Sequence, residues 1–271
     1  MKNLIFLLVV LASSLSSKVY DCFIFYNELE LLEIRFNELY DKVDKFVLVE
    51  SAETFRGTSK PFYFEENKER YAKFLDKVIH VKVEERLDVP LAWDRENYQR
   101  NQIMRGLADC RDADMILVSD ADEIVRADKI DEMMDAYLKK GRIFFGFEQD
   151  HYRFYLNTRS ATIWMGTTAL QFGFLKKVSP QWMRGNVKGD GSMKFITRGG
   201  WHFTYLGGES RNIKKLESFS HIEYDTPDYK SQSAIRKALA GDCRVVKIDS
   251  SFPKFVRDNI PLMEKWGFLL K

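Results

Sequence analysis

Residues 115–124 constrain this chain most. Met115, Ile116, Leu117 and Val118 form an unbroken apolar run, and Asp120, Asp122 and Glu123 follow directly after Ser119. So short an apolar run reads as a strand buried on both faces, and such strands belong to parallel sheets flanked by helices. Open α/β sheets bind ligands in the crevice beyond the carboxyl ends of their strands, where these acids would emerge. Two aspartates one residue apart can hold a hard divalent cation through oxygen, and such a cation can clamp a diphosphate. The plainer reading is a polar turn capping the next helix, since Asp favours both turns and N-caps. A turn needs only one or two polar residues, however, and three acids at one strand end repel one another unless cations compensate them. Arg126 and Lys129 follow closely and could supply part of that charge.

The chain before this motif has the rhythm of a parallel sheet. Residues 19–26 read as a first strand with Asn27 and Glu28 at its end. Over 29–39, Leu31, Leu32, Ile34, Phe36 and Leu39 then recur at helical spacing, and residues 45–50 form a second strand. Further strands are predicted over 78–83 and 143–147, with helices around 96–109 and 131–140, the last stopped by Gly141. From there to about Gly208 the chain is rich in aromatics among Gly and Thr, which fits mixed, partly antiparallel strands. The expected fold class is α/β, a mostly parallel central sheet flanked by helices in a single domain over 18–271. A nucleotide-binding half would cover about 18–125 and an acceptor half about 126–271.

Composition limits the function. Lys plus Arg number 42 against 40 Asp plus Glu, interspersed along the chain. That balance argues against a nucleic-acid partner, which needs a basic stripe to displace counterions. Lys2 precedes an apolar run over 4–12 and then Ser13, Ser14, Ser16 and Ser17, the pattern of a secretory signal peptide over 1–17. The run is short of the roughly 20 apolar residues of a spanning helix, so any membrane association would come through the N-terminus only. A buried N-terminal strand is the other reading. Cys22, Cys110 and Cys243 are too widely spaced for a zinc site or a disulfide framework, although one bridge in an oxidising lumen remains open.

Several blocks together resemble glycosyltransferase family 17, the family of the enzyme that adds bisecting N-acetylglucosamine to N-glycans. They are Tyr20, Asp21, Cys22 and Phe23 with Asn27 and Glu28; residues 43–51; Lys60 and Pro61; Arg100, Asn101 and Gln102; and residues 119–124. Gly199, Gly200, Trp201, His202 and Phe203 with 206–208, and residues 218–221 with Glu223, complete the set. The resemblance implies a GT-A-like fold, UDP-GlcNAc as donor, a divalent metal (Mn²⁺ or Mg²⁺), inversion at the anomeric carbon, and a glycan or glycoprotein acceptor with an N-glycan mannose as one candidate. With the signal-like N-terminus it places the protein in the secretory pathway, in the ER or Golgi lumen or secreted.

Within that frame Asp122 is the expected metal ligand, and Asp120 a second ligand or a ribose contact. Glu123 would touch the sugar or stand behind the metal. His202 could close the metal shell, since neutral imidazole suits Mn²⁺, or could be a loop histidine held by a hydrogen bond. Asn27, Glu28, Glu50 and Ser51 stand beyond two predicted strand ends, where a nucleotide would rest; turn and cap chemistry is the alternative. Arg100 and Asn101 lie on a helix, where an arginine can grip phosphate or simply face solvent. Lys214 and Lys215 could meet the diphosphate, and His221 is read as structural. For the catalytic base, Glu148, Asp150, Asp190, Glu209 and Glu217 are candidates, with Glu209 preferred beside Gly208. Trp164, Trp182 and Trp201 could stack on sugars or fill a core. Competing functions are a transferase using another UDP-sugar and a non-catalytic secreted carbohydrate-binding protein. A carboxylate-pair hydrolase ranks last, because its two acids must face each other across a sugar.

Overall fold

The computed structural model describes residues 17–141, 143–186 and 193–271. The signal-like run and Asp190 therefore lie outside the described residues. Among them, nine strands form one sheet in the order β3-β2-β1-β4-β7-β6-β8-β5, with β9 pairing β7. The strands are β1 Val19–Phe25, β2 Lys45–Ser51, β3 Val78–Val83, β4 Met115–Asp120, β5 Glu123–Val125, β6 Phe144–Arg153, β7 Thr158–Gln171, β8 Lys194–Thr204 and β9 Cys243–Val245. The first four pair in parallel. Beyond β4 the pairing is antiparallel except between β6 and β8. The expected α/β domain is thus parallel in its first half and mixed in its second.

Alternation along the parallel strands builds two apolar layers. Val19, Phe23 and Phe25 of β1 with Met115 and Leu117 of β4 face the helices Leu29–Leu39 and Ala127–Lys140. Tyr20, Cys22 and Ile24 with Ile116 and Val118 face the opposite way, against Ile103 and Leu107. Both faces of the strands are thereby covered, which explains why the acid-tipped strand contains no polar residue before Ser119. A third cluster joins Trp201 and Phe203 of β8 to the C-terminal Phe252, Val256 and Phe268.

One charged pair interrupts the first layer. Arg35, on the Leu29–Leu39 helix, is fully buried and donates from Nε to Asp21 Oδ2 at 2.7 Å. Its other nitrogens reach Ser119 Oγ at 2.6 Å and the carbonyls of Asp120 and Glu123 at 3.0 and 2.9 Å. With the carbonyls of the turn drawn inward, the side chains of Asp120 and Asp122 are left facing out beyond the strand end.

Several sequence expectations differ in extent. The strand expected at 143–147 is the ten-residue β6, and the helix expected over 96–109 is Ala92–Asn101 followed by a tighter 3₁₀ segment, Gln102–Leu107. The three cysteines are free, and among the described residues no helix is long and apolar enough to cross a membrane. Replacing Arg35 with Leu would strand the buried Asp21 carboxylate, so urea unfolding should show a loss of about 3–5 kcal/mol. A loss below about 1 kcal/mol would mean that the turn does not depend on this brace.

Candidate active site

A cleft of about 1620 Å³ opens at the carboxyl ends of the parallel strands. Tyr26 and Glu28 beyond β1, Glu53 and Phe55 beyond β2, and Asp120 at the end of β4 form one wall. His151 of β6, Trp164 of β7 and His202 and Thr204 of β8 form another, and Lys215 closes the site from the Glu209–Ser218 helix.

Three cations meet the three acids here. Asp120 accepts from Arg100 Nη2 on one oxygen and from Arg184 Nη2 on the other, each at 2.9 Å. Arg184 also donates to Glu123 Oε1 at 2.7 Å, which receives Trp164 Nε1 at 2.6 Å as well. The second Glu123 oxygen takes the Asp120 amide at 3.1 Å. A Cβ at Gly166 would overlap that carboxylate, so only glycine leaves room for it. Asp122 accepts from Lys215 Nζ at 2.6 Å, and its other oxygen stands 3.5 Å from His202 Nε2. The strand registers make these meetings: β5 sets Glu123 opposite His202, and β6 sets His151 opposite the same histidine.

Electrostatics follow from burial and partners. Burial opposes ionisation of Asp120, yet Arg184 and Arg100 hold its carboxyl far below the usual range. Burial likewise opposes Asp122, and Lys215 outweighs it. Lys215, half-buried, is pushed up by Asp122 against the cost of its desolvation. Burial raises Glu123 and Glu28. His151 is pushed down to about 4, first by burial and then by His202, so its ring is neutral at physiological pH.

Of the residues expected at the site, the cleft brings together Glu28, Arg100, Asp120, Asp122 and His202. Glu123 sits just behind, joined to Arg184 and Trp164. Glu28 accepts from the amides of Tyr26 and Asn27, each at 3.0 Å, while Asn27 is not among the lining residues. Glu50 is fully buried and turned away: it accepts from the Phe64 amide at 3.2 Å and faces His80 Nε2 at 3.1 Å, fastening the short helix Tyr63–Glu66. Ser51 also lies off the cleft, bonded to the Glu53 amide; Glu53, two residues later, is what lines it. Asn101 receives the Gln181 amide at 3.1 Å and so anchors the helix Pro180–Gly185 that carries Arg184. Glu209 opens the Glu209–Ser218 helix, and its side chain lies outside the described residues. Among the tryptophans, Trp201 is core and Trp182 stacks on Phe144 outside the site. His221 lines the cleft rather than serving only as structure, and Lys215, not Lys214, reaches the acids. Arg184 and His151 were not legible in the sequence, because neither stands in a motif; only Ser179 and Pro180, a cap and first-turn pair, hint at the helix that carries Arg184.

The residues fit a divalent cation only in part. One Asp122 oxygen and His202 Nε2 converge and offer a hard oxygen and an imidazole, and His202 Nδ1 is buried without a partner. Each Asp120 oxygen already accepts from a guanidinium, which makes Asp120 a weaker candidate ligand than Asp122. Among the described residues no group of three or more His, Cys, Asp or Glu side chains is placed to hold a metal.

A cleft beyond the carboxyl ends of parallel strands is where open α/β sheets bind their ligands. The chain belongs to glycosyltransferase family 17, whose sequence model matches residues 9–246. No curated protein sequence matches it. Among solved structures it is similar to S. aureus TarS residues 1–349, at 10% identity and a TM-score of 0.46 over 83% of this chain and 72% of that one. It is also similar to the mannosyltransferase PcManGT from Pyrobaculum calidifontis in complex with GDP-Man and Mn²⁺, at 11% identity and a TM-score of 0.44 over 82% and 68% of the two chains.

Because the folded-state values of Asp120 and Asp122 lie below the ordinary aspartate value of 3.8, both stabilise the fold above that value. The contribution is lost as pH falls through it toward the folded values. Glu123, shifted upward, works in the opposite sense. Urea unfolding followed from about pH 5 to pH 2 should therefore show a steep loss of stability, with a shallower slope in Asp120→Asn. An unchanged slope would contradict the assigned pairing.

Proposed function

We propose that this glycosyltransferase moves N-acetylglucosamine from UDP-GlcNAc to a hydroxyl of a glycan acceptor, with inversion, using Mn²⁺ or Mg²⁺ held by Asp122 and His202. The observation that carries this reading is the convergence of Asp122, His202 and Lys215 at the strand-end cleft. When bound, the cation supplies positive charge to the departing diphosphate. Lys215 adds a mobile point charge at the same place, because its ammonium can turn from Asp122 to a phosphate oxygen. Arg100 and Arg184 hold Asp120 rigidly enough to present its carboxylate edge to the ribose. The nucleoside lies toward the ends of β1 and β2, where Phe25, Phe55 and Gln99 line the cleft. In this reading the sugar rests beside Asp122 with the Trp164 and His202 rings as one wall, and the acceptor lies beyond. The signal-like N-terminus supports a site of action in the secretory pathway.

Purified protein should hydrolyse or transfer from UDP-GlcNAc in the presence of manganese, lose that turnover in EDTA and regain it on adding Mn²⁺. Asp122→Ala should lower kcat by on the order of a hundredfold or more, given the several kcal/mol of charge stabilisation at a bound cation. Turnover equal in EDTA, or an Asp122→Ala variant of full activity, would refute the metal assignment. Failure to turn over any UDP-sugar would refute the donor.

A further inference from the structure

The β6–β8 side of the cleft ends in a histidine held in an unusual way. His151 stacks on His202 with ring centroids 4.9 Å apart and planes 13° from parallel, and Trp164 packs against both rings, 4.4 Å from His202 and 5.6 Å from His151. From its Nδ1 a chain of hydroxyls runs to a carboxylate. Nδ1 lies 3.0 Å from Thr162 Oγ1, which lies 3.0 Å from Ser160 Oγ, which lies 3.0 Å from Asp242 Oδ2. Asp242 is fixed in turn by Arg153 at 3.2 Å.

The direction of every bond in that chain is forced. An ionised carboxylate only accepts, so the Ser160 hydroxyl gives its hydrogen to Asp242. Ser160 oxygen then takes the hydrogen of Thr162, and Thr162 oxygen must take one from His151. The proton of the imidazole is thereby placed on Nδ1, and Nε2 is left with a lone pair. That atom is buried and has no hydrogen-bond partner in the protein, although the ring lines the cleft. A buried acceptor with no partner calls for an explanation, and a ligand that brings its own donor is one.

We infer that His151 Nε2 accepts a hydrogen bond from a hydroxyl of the saccharide acceptor and so positions it for attack, an assignment that rests on the sugar-transfer reading of the cleft. Phosphate oxygens are excluded as its partner, because they too are acceptors. The cations that suit a diphosphate, Arg184 and Lys215, contact Asp120, Asp122 and Glu123 instead. Position argues the same way: His202 is the ring that meets Asp122 and His151 stacks on its face, one ring removed from the acids, so a hydroxyl met there belongs to the second substrate.

The test uses the full chain with UDP-GlcNAc, Mn²⁺ and a trimannosyl N-glycan core as acceptor. His151→Phe keeps a stacking ring and removes both nitrogens; Thr162→Val keeps the ring and releases the tautomer. Both should raise the acceptor KM about tenfold, Thr162→Val should leave the donor KM and acceptor-free hydrolysis of UDP-GlcNAc within twofold of wild type, and His151→Gln, which retains an acceptor atom, should recover part of the loss. Nitrogen NMR of histidine-labelled protein should show His151 protonated at Nδ1 in the wild type and shifted toward Nε2 in Thr162→Val. An acceptor KM unchanged in both variants, a donor KM that rises in parallel in Thr162→Val, or a wild-type ring protonated at Nε2 would overturn the inference. Absence of any turnover in the wild type would instead refute the sugar-transfer reading, and the tautomer measurement would still decide how His151 is held.

Discussion

Arg35 determines where the acids of this protein point. A guanidinium with no exposure is tolerable only when every donor finds a partner, and this one satisfies the requirement by gathering Asp21, Ser119 and the carbonyls of the following turn around itself. Once those carbonyls are turned inward, Asp120 and Asp122 have only the cleft to face. The fold and the site are therefore linked by one buried residue on a helix, some distance along the chain from the acids it orients.

Charge compensation then divides the three acids into different roles. Asp120 and Glu123 share Arg184 and are held as a rigid frame, with Trp164 and the missing side chain of Gly166 shaping the space around Glu123. Asp122 has the looser partners, a lysine ammonium and a histidine edge, both of which can exchange for a ligand. A cluster that was electrically balanced by arginines alone would be inert toward a diphosphate. Here the compact ammonium of Lys215 sits at the acid that stands 3.5 Å from an imidazole nitrogen.

Local pattern revealed the parallel half of the sheet well, because each element there is a contiguous period of two or of 3.6 residues. The Leu29–Leu39 helix and the strand Val78–Val83 have the limits that their apolar spacing predicts. The acid tip was legible for the same reason, as a break in a local run. Glu50 was misplaced because a strand end predicts where a backbone goes and not which way a side chain turns, and here the Phe64 amide and His80 captured it. Arg184 and His151 are not legible in the sequence because their importance lies in pairings made only in the fold: β6 must run beside β8 in one register before His151 meets His202, and no residue near either position announces that pairing. Asn101 shows a further gap between motif and role, since it serves the site by holding the helix that carries Arg184 rather than by touching a ligand.

In the proposed reaction Asp122 and His202 jointly hold a cation against a nucleotide diphosphate in the strand-end cleft. A crystal structure of the protein with UDP and manganese, with the metal located by its anomalous scattering, tests it most directly. One metal peak is expected within coordination distance of both Asp122 and His202, with Lys215 turned from Asp122 toward a phosphate oxygen. A metal bound elsewhere, or UDP seated in the cleft with Lys215 still paired to Asp122 and no metal between them, would contradict it.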